Sequence, residues 1–323
     1  MKKVRVSLDL NRNRLDKFLA SEIKELSRSK IQAIILGGSV KVNNDLVIDP
    51  DFNLKYDDVI FIEDNFKITK PDLTPDENIK FSILYEDNDL LVIDKPAGVT
   101  VHAGAGNYSH TLVNSLIYYC GKSLSAGSDP YRPGIVHRID KCTSGILVVA
   151  KNDFSHVKLA AQFASHTITR KYICYCYSLL QPSHGKIVTF LGRDRNNRLK
   201  MAVNIDGRQA VTLYKTLKTF SKFASKVECE LKTGRTHQIR VHLSHQKCSL
   251  IGDALYKAKN YSIPSNIADS VQKFPRQALH AYFLEFLHPR SGKLVRFESE
   301  LPEDLCHLEK IMQTYVPIAD ASS

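Results

Sequence analysis

No stretch of this chain approaches the roughly 18 consecutive apolar residues of a membrane-spanning helix, so no membrane partner is expected. The opening residues, Met1-Lys2-Lys3-Val4-Arg5, run into polar sequence and offer no signal-peptide core. Paired cysteines at metal-ligand spacing are also missing. The seven cysteines are odd in number and scattered without a CxxC pair, which reads as free thiols in a reducing cytoplasm. Cys174 and Cys176 share one face of a strand, but no second pair joins them, so packing is their expected role. His237, His242 and His245 have neither an HExxH frame nor a nearby carboxylate, and no metal site is expected of them. Gly104-x-Gly106 is too short and wrongly placed for a dinucleotide fingerprint. Internal repeats are not evident.

What is present is basic. Lys and Arg exceed Asp and Glu by 11 in 323 residues, a balance that favours an anionic partner, nucleic acid first. The excess is uneven, because residues 190–245 hold twelve Lys and Arg against four Asp and Glu. Arg193, Arg195, Arg198 and Lys200 form its densest group. With Gly192 and Asn196-Asn197 around them, they read as a hairpin or loop projecting cations toward phosphate.

The chain is expected to organise as residues 1–67, a linker at 68–78 rich in Pro and charge, a larger unit at 79–315, and a frayed tail at 316–323. In the first unit, Leu15, Phe18, Leu19, Ile23 and Leu26 recur at helical spacing. Ile31, Ile34 and Ile35 begin a second helix that Gly37-Gly38 ends. Short strands follow at Val40–Val42 and Leu46–Ile48 around an Asn43-Asn44 turn, then at Val59–Ile62. Arg12, Arg14, Lys17, Arg28 and Lys30 lie on the polar side of this unit, as a solubilising face or as a surface that reads RNA. In the larger unit, Phe154, Val157, Ala160, Ala161 and Ala164 mark an amphipathic helix. Alternation over 169–177 sets Tyr172, Cys174 and Cys176 on one strand face and Ile173, Tyr175 and Tyr177 on the other. Val227, Cys229 and Leu231 mark a half-buried strand that turns at Thr233-Gly234. The spacing of Ile239 and Leu243 then puts Arg240 on a short helix.

The stretch that organises the chain is Pro133-Gly134-Ile135-Val136-His137-Arg138-Ile139-Asp140-Lys141-Cys142-Thr143-Ser144-Gly145, which empties into Ile146-Leu147-Val148-Val149-Ala150. The apolar run reads as a buried strand. It anchors a loop that holds one carboxylate, Asp140, between Arg138 and Lys141. Such a loop presents catalytic groups rigidly, or pairs its charges locally at the surface.

His137-Arg138-Ile139-Asp140-Lys141-Cys142-Thr143-Ser144-Gly145 resembles the signature of the RluA-type pseudouridine synthases. Further segments extend the likeness in the right order. They are Lys95-Pro96-Ala97-Gly98, Arg170-x-Tyr172, Thr233-Gly234-Arg235-Thr236-His237-Gln238-Ile239-Arg240 and Arg276-Gln277-Ala278-Leu279-His280-Ala281. Arg14-Leu15-Asp16-Lys17-Phe18-Leu19, Ser27-Arg28-Ser29 and Gly38-Ser39-Val40-Lys41-Val42-Asn43 are similar to the small alpha-L RNA-binding domain. The resemblance implies an α+β fold with a mainly antiparallel catalytic sheet, preceded by that small α+β domain. It implies a ribosomal RNA pseudouridine synthase, an isomerase that breaks the N1–C1′ bond of a uridine, turns the uracil and rejoins it through C5. No cofactor is needed for that chemistry. By resemblance Asp140 is the nucleophile, Arg240 its counter-charge and Tyr172 the ring against the flipped uracil. Arg138 fills the vacated stack, and His137, Arg235 and His237 shape the pocket or touch RNA. The segment from Gly192-Arg193 to Lys200-Met201-Ala202-Val203 is most like the family's D branch. It implies large-subunit ribosomal RNA or a pre-ribosomal particle as partner, helix 69 as target, and a monomer. C-branch specificity elsewhere in the same RNA is the alternative, and a non-catalytic assembly factor the rival from another class. Cys142 departs from the family, which usually has a carboxylate there.

Overall fold

The computed structural model describes residues 2–6, 14–26, 28–63, 71–104, 107–121, 123–127, 129–194, 197, 199–257 and 261–314. Arg12, Ser27, Arg195, Arg198, Gly106 and the expected tail lie outside them. The chain divides into two compact units, Met1–Asp72 with Ala103–Ser109, and Leu73–His102 with His110–Ser323. No helix among the described residues is long and apolar enough to cross a membrane.

The first unit runs β1 (Lys2–Arg5), α1 (Leu15–Glu22), α2 (Arg28–Leu36), β2 (Val40–Val42), β3 (Asp45–Leu46) and β4 (Val59–Ile62). Its sheet has the order β1-β4-β2-β3. Leu15, Phe18 and Leu19 of α1 and Ile31, Ile34 and Ile35 of α2 bury together against Val40 and Ile60, so the expected helical faces meet over the sheet. The Asn43-Asn44 turn takes positive φ at both residues, 52° and 73°, as a two-residue hairpin requires. Two corrections apply here. β1 carries no signal that the sequence reading used. The strand expected over Leu46–Ile48 is only Asp45–Leu46, with Val47 turned into the core and Ile48 exposed.

The second unit continues with β5 (Ser82–Glu86), β6 (Leu90–Lys95), α3 (Leu112–Cys120), β7 (Ser144–Ala150), α4 (Asp153–Ala164), β8 (Thr169–Tyr177), β9 (His184–Arg193) and β10 (Met201–Val203). Then come β11 (Arg208–Phe220), β12 (Ala224–Leu231), α5 (Gln238–His245), α6 (Ser265–Gln272), β13 (Leu279–Leu287), β14 (Leu294–Glu298) and α7 (Glu303–Gln313). Among the described residues its strands form one ten-stranded sheet, β10-β9-β11-β12-β8-β13-β7-β6-β5, with β14 also on β13. Only β13 with β7 is parallel. One face of the sheet takes α3 and α5 through Leu112, Leu116, Ile239 and Leu243, and on this face lie Tyr172, Cys174 and Cys176. Ile173 and Tyr175 turn to the other face, under α6 and α7. The alternation read over 169–177 is therefore the division of the core.

The expected helix over 154–164 forms as α4, but the face it buries is not the expected one. Leu159 and Ser155 are fully buried, whereas Phe154 and Val157 are exposed. Phe154 lies under the guanidinium of Arg290, 5.1 Å from its ring centroid, so a surface cation covers the ring expected on the apolar face. Gly145 is fixed by the parallel pairing. Its φ is 119°, and a Cβ there would meet the carbonyl oxygen of Ala281 at 2.2 Å. A side chain at 145 would push β7 from β13 just where the Asp140 loop enters the sheet.

Candidate active site

Four segments converge on a cleft of about 540 Å³ in the second unit: the loop before β7, the end of α4, the start of β8, and the turn into α5. The Asp140 loop is tied down on several sides. Lys95, fully buried at the end of β6, donates its amine hydrogens to the carbonyls of Pro96, Val99 and Lys141, at 2.8, 2.9 and 3.1 Å. Arg276 donates Nη1 to the carbonyl of Cys142 and is itself held by Asp304.

Gln238 builds the turn into α5. Its Oε1 accepts from the Thr233 hydroxyl and the Arg235 amide, and its Nε2 donates to the carbonyl of Val211. His237 then takes a left-handed backbone, φ 55°, and α5 begins. Arg240 donates Nε and Nη2 to both oxygens of Asp253, at 2.7 and 2.9 Å, and Nη1 to Asp140 Oδ2 at 3.1 Å. The ring of Tyr256 lies 5.0 Å from the same guanidinium. Burial works against the Arg240 charge, but hydrogen bonding and attraction from Asp253, then Asp140, outweigh it and raise its pKa. Asp140 therefore faces a cation that is permanent and fixed in direction.

Tyr172 is buried in the cleft wall, and burial raises its phenol pKa. His237 Nε2 lies 3.9 Å from Asp140 Oδ2, and its Nδ1 is 2.9 Å from the Tyr256 hydroxyl. That hydroxyl also accepts the Met201 amide at 2.8 Å. Asp140, Tyr172 and Arg240, drawn from stretches of sequence up to 100 residues apart, thus line one cleft.

The residues expected to contact RNA are placed differently from one another. Arg138 is exposed and donates Nη1 to His102 Nε2 at 3.3 Å. Arg235 donates Nε to the carbonyl of Gln209. β9 and β10 pair as the expected hairpin, with Arg193 exposed at its end. Lys200 reaches to 6.0 Å from the Tyr256 ring centroid. In the first unit Asp16 is fully buried and gathers Arg14 at 2.8 Å and Arg28 at 3.0 Å. Burial disfavours its charge, but hydrogen bonds from Arg14, Gln32 and Arg28 prevail and hold its pKa at about 2. Two of the expected cations are therefore oriented by a core carboxylate. Lys30 is exposed on α2.

His137 has an internal place. Its Nε2 accepts the Val148 amide hydrogen at 3.0 Å, and its ring stacks on Phe163 at 4.4 Å. Burial, with the Arg170 cation nearby, pushes its pKa from 6.5 down to about 3. Between these values the unfolded chain binds a proton that the folded chain refuses, so stability falls as pH drops from about 6.5 toward 3. A His137→Gln protein is expected to lose less stability over that window. Urea melts at pH 7, 5.5 and 4.5 check this, and identical slopes in the two proteins would remove His137 as the linked group.

Asp253, Tyr256, Phe163, Gln238 and Arg170 also build the site, and none was given a role from the sequence. Arg170 and Gln238 lie within the signature segments, and Arg170 shares the strand face of Tyr172 two residues on. Asp253 sits in a Gly252-Asp253 turn with no periodic signal.

The family described as RNA pseudouridylate synthase matches residues 89–245, and the S4 domain matches residues 13–60. A Zymomonas mobilis protein named ribosomal large subunit pseudouridine synthase D is 46% identical over 307 residues, covering 93% of each chain. A Bacillus subtilis protein named uncharacterized RNA pseudouridine synthase YlyB is 42% identical, over 91% of this chain and 92% of its own. The solved structure of human RNA pseudouridylate synthase domain containing 4 shares the fold. Its TM-score is 0.57 at 24% identity, over 72% of this chain and 93% of that one. This chain belongs to the RNA pseudouridylate synthase family, and carries an S4 domain ahead of the catalytic one.

Proposed function

We propose that this enzyme isomerises uridines in large-subunit ribosomal RNA, with Asp140 as nucleophile, Arg240 as its fixed counter-charge and Tyr172 against the flipped base. The observation that carries the reading is the Asp253–Arg240–Asp140 chain of hydrogen bonds along the cleft. A carboxylate there keeps one oxygen on a guanidinium. Its other oxygen, Oδ1, accepts no hydrogen bond among the described residues and is left for the nucleotide. A cleft of this size admits a base only after the base leaves its stack, which gives Arg138, exposed at the rim, the place to fill. Arg193, Arg195, Arg198, Lys200 and Arg235, and Arg14, Arg28 and Lys30 of the S4 domain, then serve as phosphate contacts. His237 faces the nucleotide beside Asp140, and His137 holds the loop to β7.

The names of the Zymomonas mobilis relative and others at 39% identity support the large-subunit substrate. Helix 69 is the proposed target within it, free or in a pre-ribosomal particle. Carbodiimide labelling with reverse transcription, on unmodified large-subunit RNA and on immature particles, tests this. Enzyme-dependent stops in helix 69 are expected. Stops only elsewhere would overturn the target, and none at all would favour an assembly factor.

A further inference from the structure

Arg170 is the one cation of the cleft that the reaction just described leaves without a task. It stands one residue pair before Tyr172 on the same face of β8, about 6.6 Å along the strand, and lines the cleft with Phe163, His166 and Gly234. It is only 9% exposed. Among the described residues no carboxylate pairs with it, and its Nε is buried without a hydrogen-bond partner. The other buried arginines are matched: Arg240 sits on Asp253, and Arg276 on Asp304. The ring of Phe163, 5.6 Å away, offers Arg170 only its π face. Room for the guanidinium is built into the backbone, since a Cβ at Gly234 would come within 2.8 Å of Nη1. Neither neighbour supplies a negative charge, because His137 is held neutral and Tyr172 stays a phenol.

A cation nine-tenths buried with no counter-ion among the described residues is costly, and a buried polar group without a partner needs an explanation. We infer that Arg170 is the binding site for a backbone phosphate of the RNA next to the flipped uridine. A phosphodiester brings the full charge that the guanidinium lacks and accepts it in a two-pronged bond. A neutral uracil carbonyl would leave the charge unmatched. The inference rests on the reading that this cleft takes a flipped nucleotide.

The test uses stem-loop RNAs from the large subunit, each with one methylphosphonate linkage at or beside the target uridine. Affinity is measured in the Asp140→Asn background so that nothing turns over. Arg170→Gln is expected to bind unmodified RNA about tenfold or more weakly, with the slope of log K against log salt reduced by about 0.7. One methylphosphonate position should cost the Arg170 protein a similar factor and cost Arg170→Gln nothing. Arg170→Lys should recover part of the loss at that same position. Because the side chain has no ion-pair or hydrogen-bond partner among the described residues, Arg170→Gln should melt no lower than its parent. Equal sensitivity of both proteins at every linkage would overturn the inference. So would unchanged affinity with a fall in kcat alone, measured with Asp140 restored, which would assign Arg170 to the uracil. Product formation by the unaltered enzyme on the same stem-loop is scored separately. Its absence would sink the proposed function while phosphate-dependent binding still stood.

Discussion

An Asp140→Asn enzyme is expected to bind RNA with near-normal affinity and to form no pseudouridine. The substitution keeps the size of the side chain and replaces a nucleophilic oxygen with an amide. Arg240 stays in place because its two strongest bonds go to Asp253, at 2.7 and 2.9 Å, rather than to Asp140. Lys95 grips the loop through backbone carbonyls, including that of Lys141, and these are untouched. The fold should therefore survive, with a melting temperature within a few degrees of the parent, because the amide oxygen can still accept from Arg240 and the buried Arg240–Asp253 pair is intact. The rate loss should be roughly 10⁴-fold or more, the scale seen when a nucleophile is removed from a cooperating set. Single-turnover pseudouridine formation measures it, with RNA affinity read in parallel. A variant retaining a tenth of the parent rate would end the assignment of Asp140 as nucleophile. Loss of RNA binding along with activity would recast it as a structural residue.

Much of this site was legible in the sequence, and the limits follow from physical periods. A strand has a period of two, so Tyr172, Cys174 and Cys176 separate from Ile173 and Tyr175 without further information, and the core divides as read. A helix lying on a sheet presents a broad stripe, and a cation can shield an exposed ring. That is why Phe154 and Val157 misplaced the buried side of α4, while Leu159 and Phe163 do the packing. β1 is a four-residue strand whose side chains alternate weakly, and only its pairing with β4 defines it. Family signatures located Asp140 and Arg240 but not the residue that aims Arg240. Asp253 lies thirteen positions further on in an irregular turn, and its value comes from a contact that sequence spacing does not encode. Arg170 is the opposite case. Its position was plain, and what could not be read was that it is buried with no carboxylate among the described residues to meet it.

The dependence of Arg240 on Asp253 sets up the second large effect. Arg240→Met removes the guanidinium and leaves Asp253 fully buried as an anion without a cation. The carboxylate still accepts the amide hydrogens of Leu255 and Tyr256 at 2.9 and 3.1 Å, but its charge is unmatched. Breaking a buried pair in this way costs about 3–5 kcal/mol, and catalysis fails as well because Asp140 loses its counter-charge. Arg240→Lys should recover part of the stability and little of the rate, since an ammonium cannot span both carboxylates in a fixed fork. The two effects separate in Arg240→Met/Asp253→Asn. Asparagine keeps an oxygen for the Leu255 and Tyr256 amides and removes the stranded charge, so most of the lost stability should return. Asp140 still has no guanidinium, so activity should not. Urea denaturation measures the first quantity and single-turnover pseudouridine formation the second. Full stability in Arg240→Met would show that Asp253 does not need the cation. An active double variant would show that Asp140 does not need it either, and that Arg240 serves the fold alone.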